Sequence, residues 1–195
     1  ASHVLIIGAG GLGSPAAIYL AASGIGKITI CDFDKVDISN LQRQILHQDE
    51  SINLNKAVSA KKTLTKTNPH IQIIPVEKKL NVREVKNLAN DVDVILDCSD
   101  NFETRYRLNE IAFSLKKPLV SGAAIQFDGQ VSIYDFRDNK TPCYQCLFPD
   151  SSIDSEQRCS DHGVLSPVVG VIGSIQAVET IKLLLNIGAS SIGKL

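Results

Sequence analysis

Apolar and polar residues follow each other along the chain in blocks that predict alternating strands and helices. Four apolar residues at the start of Val4–Gly13 predict a strand that is buried on both faces. Further strands are predicted at Lys27–Cys31, Gln72–Val76, Val92–Leu96 and Leu119–Ser121, and helices at Ala16–Ser23, Leu41–Leu46, Lys56–Thr67, Asn81–Leu88, Phe102–Leu115 and Val168–Leu185. This order predicts an α/β, Rossmann-like fold, in which a mostly parallel sheet is covered by helices on both faces.

The second half of the chain departs from this alternation. Asp128-Gly129 predicts a turn, and the alternating residues Gln130–Tyr134 after it predict an antiparallel hairpin extension of the sheet. Asp138–Gly163 is polar and without clear periodicity, which predicts a long crossing loop of the kind that is either functional or disordered. With 195 residues, we expect a single domain over residues 1–195, trimmed at both ends.

A glycine-rich turn follows the first predicted strand and precedes the first predicted helix. The glycines are Gly8, Gly10, Gly11 and Gly13. Ser14 and Pro15 are suited to be the N-cap and the first residue of the helix. Backbone N–H groups and the helix dipole at such a turn face a phosphate, so we predict a nucleotide site.

The residues beyond the second strand distinguish between nucleotides. Asp32 is placed to hydrogen-bond ribose hydroxyls, which suits NAD as well as ATP. Arg43 and Lys56 supply cations, and Asn40 can donate to phosphate oxygens. Each cation alone is more easily explained as a surface residue, but the set favours an enzyme that cleaves ATP over an NAD-dependent oxidoreductase.

Asp100 follows the fourth predicted strand, at the sheet edge that faces the ligand crevice in open parallel sheets. Its carboxylate can hold Mg²⁺, which bridges nucleotide phosphates, or it can cap the helix that begins near Phe102.

Composition narrows the class of protein. The net charge of −1 gives no basic excess for nucleic acid, and five cysteines, an odd number, favour a reducing cytoplasm over a disulfide framework. Val164–Ile187 is apolar but is interrupted by polar and charged residues, so we expect a buried or interface helix and no membrane span.

Three cysteines lie in the polar segment. Cys143 and Cys146 form a Cys-x-x-Cys pair, which is typical of a zinc half-site or of a redox motif. Cys159 lies between Arg158 and His162 in sequence, and positive charge favours a reactive thiolate; a loop cysteine without a role is the alternative.

Taken together, the motifs resemble those of the ThiF/MoeB/HesA family, which is related to the ubiquitin-activating enzymes. The matching motifs are Gly-Ala-Gly-Gly-Leu-Gly from Gly8, Asp32-Phe33-Asp34, Ser39–Gln44, Asn55-Lys56, Asp97–Asn101, Cys143–Cys146 and the helix from Val168 to Lys182. They stand in the family's order and cover nearly the whole chain.

The resemblance implies ATP-dependent adenylation of the C-terminal glycine of a ubiquitin-like sulfur carrier, with Mg²⁺ as cofactor. By that resemblance, Gly11 lies in the phosphate turn, Asp32 binds the ribose, Ser39, Asn40, Arg43 and Lys56 attend the phosphates, Asp100 holds Mg²⁺ and Asn101 adjoins it. Cys143 and Cys146 would supply half of a four-cysteine Zn²⁺ site in the full-length protein. Cys159 would take part in sulfur transfer.

Among family members, the chain resembles ThiF most in its sequence from Cys143 to Asp150 and from Cys159 to Lys182. The carrier of ThiF serves thiamine thiazole synthesis. The alternative is a MoeB-like enzyme for a molybdopterin carrier, with the same chemistry. A further alternative is a non-catalytic adaptor subunit. The resemblance also implies a homodimer, a carrier that ends in Gly-Gly, and a cysteine desulfurase as sulfur donor.

Overall fold

A six-stranded sheet forms the centre of the molecule. The structure is a computed structural model that describes residues 2–138, 141–149, 163–189 and 191–195. The strands are β1 (His3–Ile7), β2 (Lys27–Cys31), β3 (Gln72–Val76), β4 (Val94–Asp97), β5 (Leu119–Ile125) and β6 (Asp128–Tyr134). The helices are α1 (Gly13–Ala22), α2 (Lys56–Thr67), α3 (Val82–Asn90), α4 (Phe102–Leu115), the short α5 (Tyr144–Leu147) and α6 (Ser166–Leu185).

The strand order is β3-β2-β1-β4-β5-β6, and all neighbours are parallel except the antiparallel pair β5 and β6. This confirms the predicted Rossmann-like sheet with a hairpin extension. The order reverses between β1 and β4, where Ile7 pairs with Cys31 on one side and Asp97 on the other. Ligands bind at the carboxyl ends of the strands at such a reversal.

Helices cover both faces of the sheet because successive strand residues point to opposite sides. Val4 and Ile6 belong to the apolar cluster under α1, α2 and α6, whereas Leu5 belongs to the cluster under α3, α4 and α5. All three side chains are fully buried. A sheet covered in this way needs apolar residues on both faces, which explains the continuous apolar run of β1.

Within the described part of the chain, one helix, α6, is long and apolar enough to cross a membrane by length and composition alone. It packs against α1 and β5, and Pro167 lies in its first turn. Gln176 and Thr180 are fully buried within the protein and hydrogen-bonded there. These polar contacts agree with the predicted packed helix.

The segment after β2 differs from its prediction. Leu41–Leu46 is not helical; a 3₁₀ turn at Ile38–Asn40 and further turns take its place. The Asp37 carboxylate accepts the Ser39 N–H and begins the 3₁₀ turn. The carbonyl of Leu46 accepts a hydrogen bond from Thr63 Oγ1 on α2, so the segment follows the surface of that helix instead of forming one.

The hairpin turn also differs from its prediction. Ile125 pairs directly with Asp128, so the turn residues are Gln126 and Phe127, and Asp128-Gly129 belongs to β6. Gln126 adopts a left-handed conformation, with φ 51°. Its N–H and C=O bond to the backbone just before α6. These tertiary bonds fix a turn that the Asp-Gly pair alone predicts two residues too late.

The beginning of α1 is the third difference. The helix starts at Gly13 with Leu12 as N-cap, so Ser14 lies inside the first turn and forms no cap. Gly13 packs so closely against Gly8 that the helix begins directly after the glycine turn: a Cβ on Gly13 would lie 2.0 Å from the carbonyl oxygen of Gly8.

Candidate functional site

The glycine loop, residues 8–12, connects β1 to α1 at the point where the strand order reverses. Gly8 has φ 100°, a conformation that L side chains rarely adopt, and a Cβ there would lie 2.5 Å from the carbonyl oxygen of Cys98. The loop therefore lies directly against the end of β4. No described residue accepts a hydrogen bond from the N–H of Gly10 or Gly11. Such N–H groups before a helix can bind phosphate oxygens.

Asp32 lies at the end of β2, beside the glycine loop. Its Oδ2 accepts the N–H of Ala9 at 2.8 Å, and its Oδ1 accepts the N–H of Asp34 at 2.9 Å. Burial raises the pKa of Asp32 above its ordinary value, against the lowering effects of these hydrogen bonds and of the Lys56 charge. The structure thus places the predicted ribose-binding carboxylate next to the predicted phosphate loop.

Lys56, the first residue of α2, is not a surface lysine. Its side chain is only 9% exposed, and its Nζ lies 3.2 Å from Oδ2 of Asp34. A buried ammonium with one carboxylate partner is a cation held in place at low dielectric, where its charge acts strongly on a neighbouring anion. Asp34 therefore belongs to the site through its ion pair with Lys56.

Asn55 positions α2 and thereby Lys56. Its Oδ1 accepts the N–H groups of Ala57 and Val58 and caps the helix, while its Nδ2 donates to the carbonyl of Asp32 at 2.9 Å. One side chain thus links the end of β2 to the start of α2. This is a physical reason for the Asn55-Lys56 pair in the sequence.

The loop after β2 carries Ser39, Asn40 and Arg43. Asn40 Nδ2 donates to Ser39 Oγ at 3.3 Å, and an Arg43 nitrogen donates to the Ser39 carbonyl at 3.2 Å. Arg43 is half-buried and lies in a turn, so it is not the exposed helix residue of the alternative interpretation. Its neighbour Gln44 is buried, and Gln44 Nε2 would lie 3.5 Å from a Cβ on Gly10.

The end of β4 carries the acidic residues of the site. Asp97 is fully buried, and its Oδ1 and Oδ2 accept the hydroxyls of Ser99 and Ser121 at 2.6 and 2.7 Å. Asn101, and not Asp100, caps α4 through the N–H of Thr104. Asp100 is exposed beside Asn101. Since Asp100 has no capping role, its carboxylate is available for a hydrated Mg²⁺.

Cys143 and Cys146 lie at α5, on the face of the sheet that α3 and α4 also cover. Their Sγ atoms are 3.4 Å apart. This is close to the separation of about 3.8 Å between two thiolates on one tetrahedral zinc. Burial raises the pKa of Cys143, but hydrogen bonds with Cys146 and Asn109 outweigh it and leave the pKa lowered. The pair fits half of a zinc site, and within the described ranges no third ligand joins it.

The remaining cysteines divide into two groups. Cys31 and Cys98 are buried strand-end thiols, and burial raises the pKa of Cys31 to about 12 and that of Cys98 further, so neither is a reactive thiolate at neutral pH. Cys159 lies outside the described residues, so its predicted role in sulfur transfer stays a prediction.

Several residues that contact the site were not among the predicted site residues. His47 and Gln44 contact the glycine loop, and Gln176 of α6 donates to the carbonyl of Asp97 at 2.8 Å. The sequence signal for Gln176 was its polar side chain within an otherwise apolar helix pattern. Asp97 stood at the start of the motif Asp97–Asn101, but no local pattern marked it as fully buried.

Known proteins of similar sequence show the family to which the chain belongs. The profile described as the ThiF family matches residues 1–195. The molybdopterin-synthase adenylyltransferase of Escherichia coli K12 is 46% identical over 197 residues, which cover 100% of this chain and 77% of that protein. Adenylyltransferase and sulfurtransferase MOCS3 of Dictyostelium discoideum is 46% identical over 186 residues, which cover 95% of this chain and 43% of that protein. The chain thus spans less than half the length of the MOCS3 relative.

Solved structures agree with the fold. Escherichia coli MccB with AMPCPP and MccA matches with a TM-score of 0.83 at 23% identity, over 99% of this chain and 58% of that one. At this identity the likeness concerns the arrangement of strands and helices. The Escherichia coli and Salmonella typhimurium relatives are both named molybdopterin-synthase adenylyltransferase, which favours the molybdopterin alternative over the thiamine interpretation that the sequence predicted.

Proposed function

The chain belongs to the ThiF family, and on that premise we propose that it is an ATP-dependent adenylyltransferase acting on the C-terminal glycine of a ubiquitin-like sulfur carrier. The proposal draws on relatives that are named adenylyltransferases and are 44–47% identical. This chain covers 77% of the Escherichia coli relative and 43% of the MOCS3 relative, so the activity of the whole protein belongs to the proposal.

One observation carries the ATP site. A glycine loop whose Gly10 and Gly11 N–H groups have no described partner lies beside the Asp32 carboxylate, and Lys56 is held near that carboxylate through Asp34. This arrangement provides phosphate donors, a ribose acceptor and a buried cation in one crevice. Hydride transfer develops no charge on the phosphates, so a buried cation in this crevice favours ATP cleavage over a dehydrogenase.

The proposed reaction joins two anions. A carboxylate oxygen of the carrier's last glycine attacks the α-phosphorus, the bond from that phosphorus to the bridging oxygen breaks, and pyrophosphate leaves with the electron pair. Arg43 and Lys56 offset the charge on the phosphates, and Asn40 donates to a phosphate oxygen. Mg²⁺, which Asp100 would hold with Asn101 beside it, neutralises phosphate charge when bound.

For the carrier, the proposal is a molybdopterin-type protein that ends in Gly-Gly. The support is the name of the Escherichia coli relative, which is aligned over the whole of this chain. The thiamine-type carrier is the competing substrate. Parallel assays with both carriers decide between them, because a specific enzyme shows a lower KM for its own carrier.

Sulfur transfer through Cys159 is a further part of the proposal, with a cysteine desulfurase as sulfur donor. We expect Cys159→Ser to adenylate the carrier at the wild-type rate but to stop sulfur handover, with Ser160→Ala as the control. Full transfer by Cys159→Ser would remove the role of Cys159. The cytoplasm, with its reduced thiols, is the proposed compartment, and a homodimer the proposed assembly.

The deciding experiment is ATP–pyrophosphate exchange with Mg²⁺, measured with and without each carrier. We expect carrier-dependent exchange that Arg43→Ala and Asp100→Ala lose, while Lys62→Ala, which removes an exposed cation of α2, keeps it. No exchange with any carrier in the full-length protein would overturn the proposal and support the non-catalytic adaptor.

A further inference from the structure

His47 is buried between the glycine loop and α2, and the proposed chemistry leaves it without a role. The residue is only 4% exposed. Its Nε2 lies 2.8 Å from the carbonyl oxygen of Ala9, and its Nδ1 lies 2.8 Å from Ser59 Oγ. A carbonyl oxygen can only accept, so these partners assign the ring proton to Nε2. Burial disfavours the charged ring, and in the neutral imidazole Nδ1 accepts from the Ser59 hydroxyl.

On one side, His47 holds the glycine loop. The Ala9 carbonyl accepts from His47, while the Ala9 N–H donates to Asp32 Oδ2 at 2.8 Å. Both peptide groups that flank Ala9 are therefore fixed in orientation. The Gly10 N–H belongs to the same planar peptide unit as the Ala9 carbonyl and points away from it, so the bond to His47 fixes the direction of this N–H.

On the other side, His47 holds the helix that carries the buried cation. Ser59 is fully buried on α2, one turn after Lys56. Thr63, one turn further, donates its hydroxyl to the carbonyl of Leu46 at 2.8 Å. The segment around His47 is therefore attached along α2, and the imidazole connects this helix to the loop.

We propose that His47 is a positioning residue for nucleotide binding: its neutral imidazole, bonded to Ala9 and Ser59, fixes the phosphate-binding loop relative to Lys56. The proposal rests on the proposed nucleotide site. Protonation at Nδ1 reverses the bond to Ser59, whose hydroxyl proton loses this acceptor, and places a second positive charge near Lys56. Both changes oppose the arrangement that binds the nucleotide.

The surroundings of the imidazole favour its neutral form. Burial lowers the pKa of His47 below its ordinary value; the bond to the Ala9 carbonyl opposes this, and the Lys56 charge adds to it. Asp32 lies beyond the Ala9 peptide, and α1 has no charged residue. Since the folded protein holds His47 less basic than the unfolded chain does, the neutral bridge is complete above about pH 6.5 and is lost as pH falls.

The test measures ATP affinity by calorimetry from about pH 5.5 to pH 8. Glutamine can donate and accept as the neutral imidazole does, but it cannot be protonated in this range. We expect His47→Gln to bind ATP within a few-fold of wild type at the upper pH and to lose the weakening that wild type shows on acidification. His47→Ala and Ser59→Ala should weaken binding, up to about 10-fold for His47→Ala.

The matched control is His70→Gln, which removes an exposed histidine and should keep the wild-type pH profile. Parallel acid profiles in wild type and His47→Gln would overturn the inference, as would unchanged affinity in Ser59→Ala. Circular dichroism checks that each variant is folded, and if His47→Ala does not fold, His47→Gln and Ser59→Ala still decide. Failure of the proposed function is distinct, because wild type itself would then bind no ATP at any pH.

Discussion

Gly173 of α6 lies directly against the carbonyl oxygen of Leu12, at the end of the glycine loop: a Cβ on Gly173 would come within 2.2 Å of that oxygen. The first half of α6 thus packs on the loop, and Val169 contacts Gly11 in the same way. The apolar helix is therefore part of the structure that supports the candidate phosphate site.

We expect Gly173→Ala to lower the free energy of unfolding by about 1–3 kcal/mol and to weaken ATP binding, because the methyl group must displace backbone. Gly170→Ala is the control on the same helix, since a Cβ there meets nothing within 4 Å. It should keep binding and gain up to about 1 kcal/mol of stability. Urea unfolding and calorimetry measure both quantities, and equal effects of the two variants would contradict the packing argument.

Lys56 is the second test. Its buried ammonium stabilises charge that develops on the phosphates, so we expect Lys56→Ala to reduce carrier-dependent exchange by about 10²–10³-fold. The exposed Lys62 of the same helix provides the control, and Lys62→Ala should remain near wild type. A small effect of Lys56→Ala on exchange would mean that its pair with Asp34 serves only to hold α2.

The adjacent residues Asp100 and Asn101 separate activity from stability. Asp100 is exposed and does not cap α4, so Asp100→Asn should abolish Mg²⁺-dependent exchange without changing the unfolding midpoint. Asn101 caps α4, so Asn101→Ala should cost about 1 kcal/mol of stability. Thermal unfolding and the exchange assay on both variants check this division. Loss of stability in Asp100→Asn would contradict it.

Zinc content tests the Cys143 and Cys146 pair. In the purified full-length protein, we expect one zinc per chain by metal analysis, and loss of that zinc in the double variant Cys143→Ser, Cys146→Ser. Cys31→Ala, which alters a buried thiol on β2, should retain the metal. Protein without zinc, or a double variant that still holds it, would refute the half-site.

Much of the candidate site could be predicted because its signals are local. The Gly8–Gly13 pattern, Asp32 at a strand end and Asn55 before a helix each follow from strand, turn and cap chemistry within a few residues. Asn81 and Glu84 form a capping box at the start of α3, which is a local signal of the same kind. The enzyme class, adenylyltransferase, was implied by the family resemblance that the motifs carry, and the relatives carry that name.

Other features depend on contacts between residues far apart in sequence. The turn at Gln126 is set by backbone bonds to residues 163 and 165, and the segment of Leu41–Leu46 is held on α2 by Thr63. No local pattern encodes such partners. The sequence alone therefore determined the alternation of strands and helices and the phosphate turn. Only the tertiary structure decided that Lys56 is buried and that His47 joins the loop to its helix, because burial and hydrogen-bond partners exist only once distant segments pack.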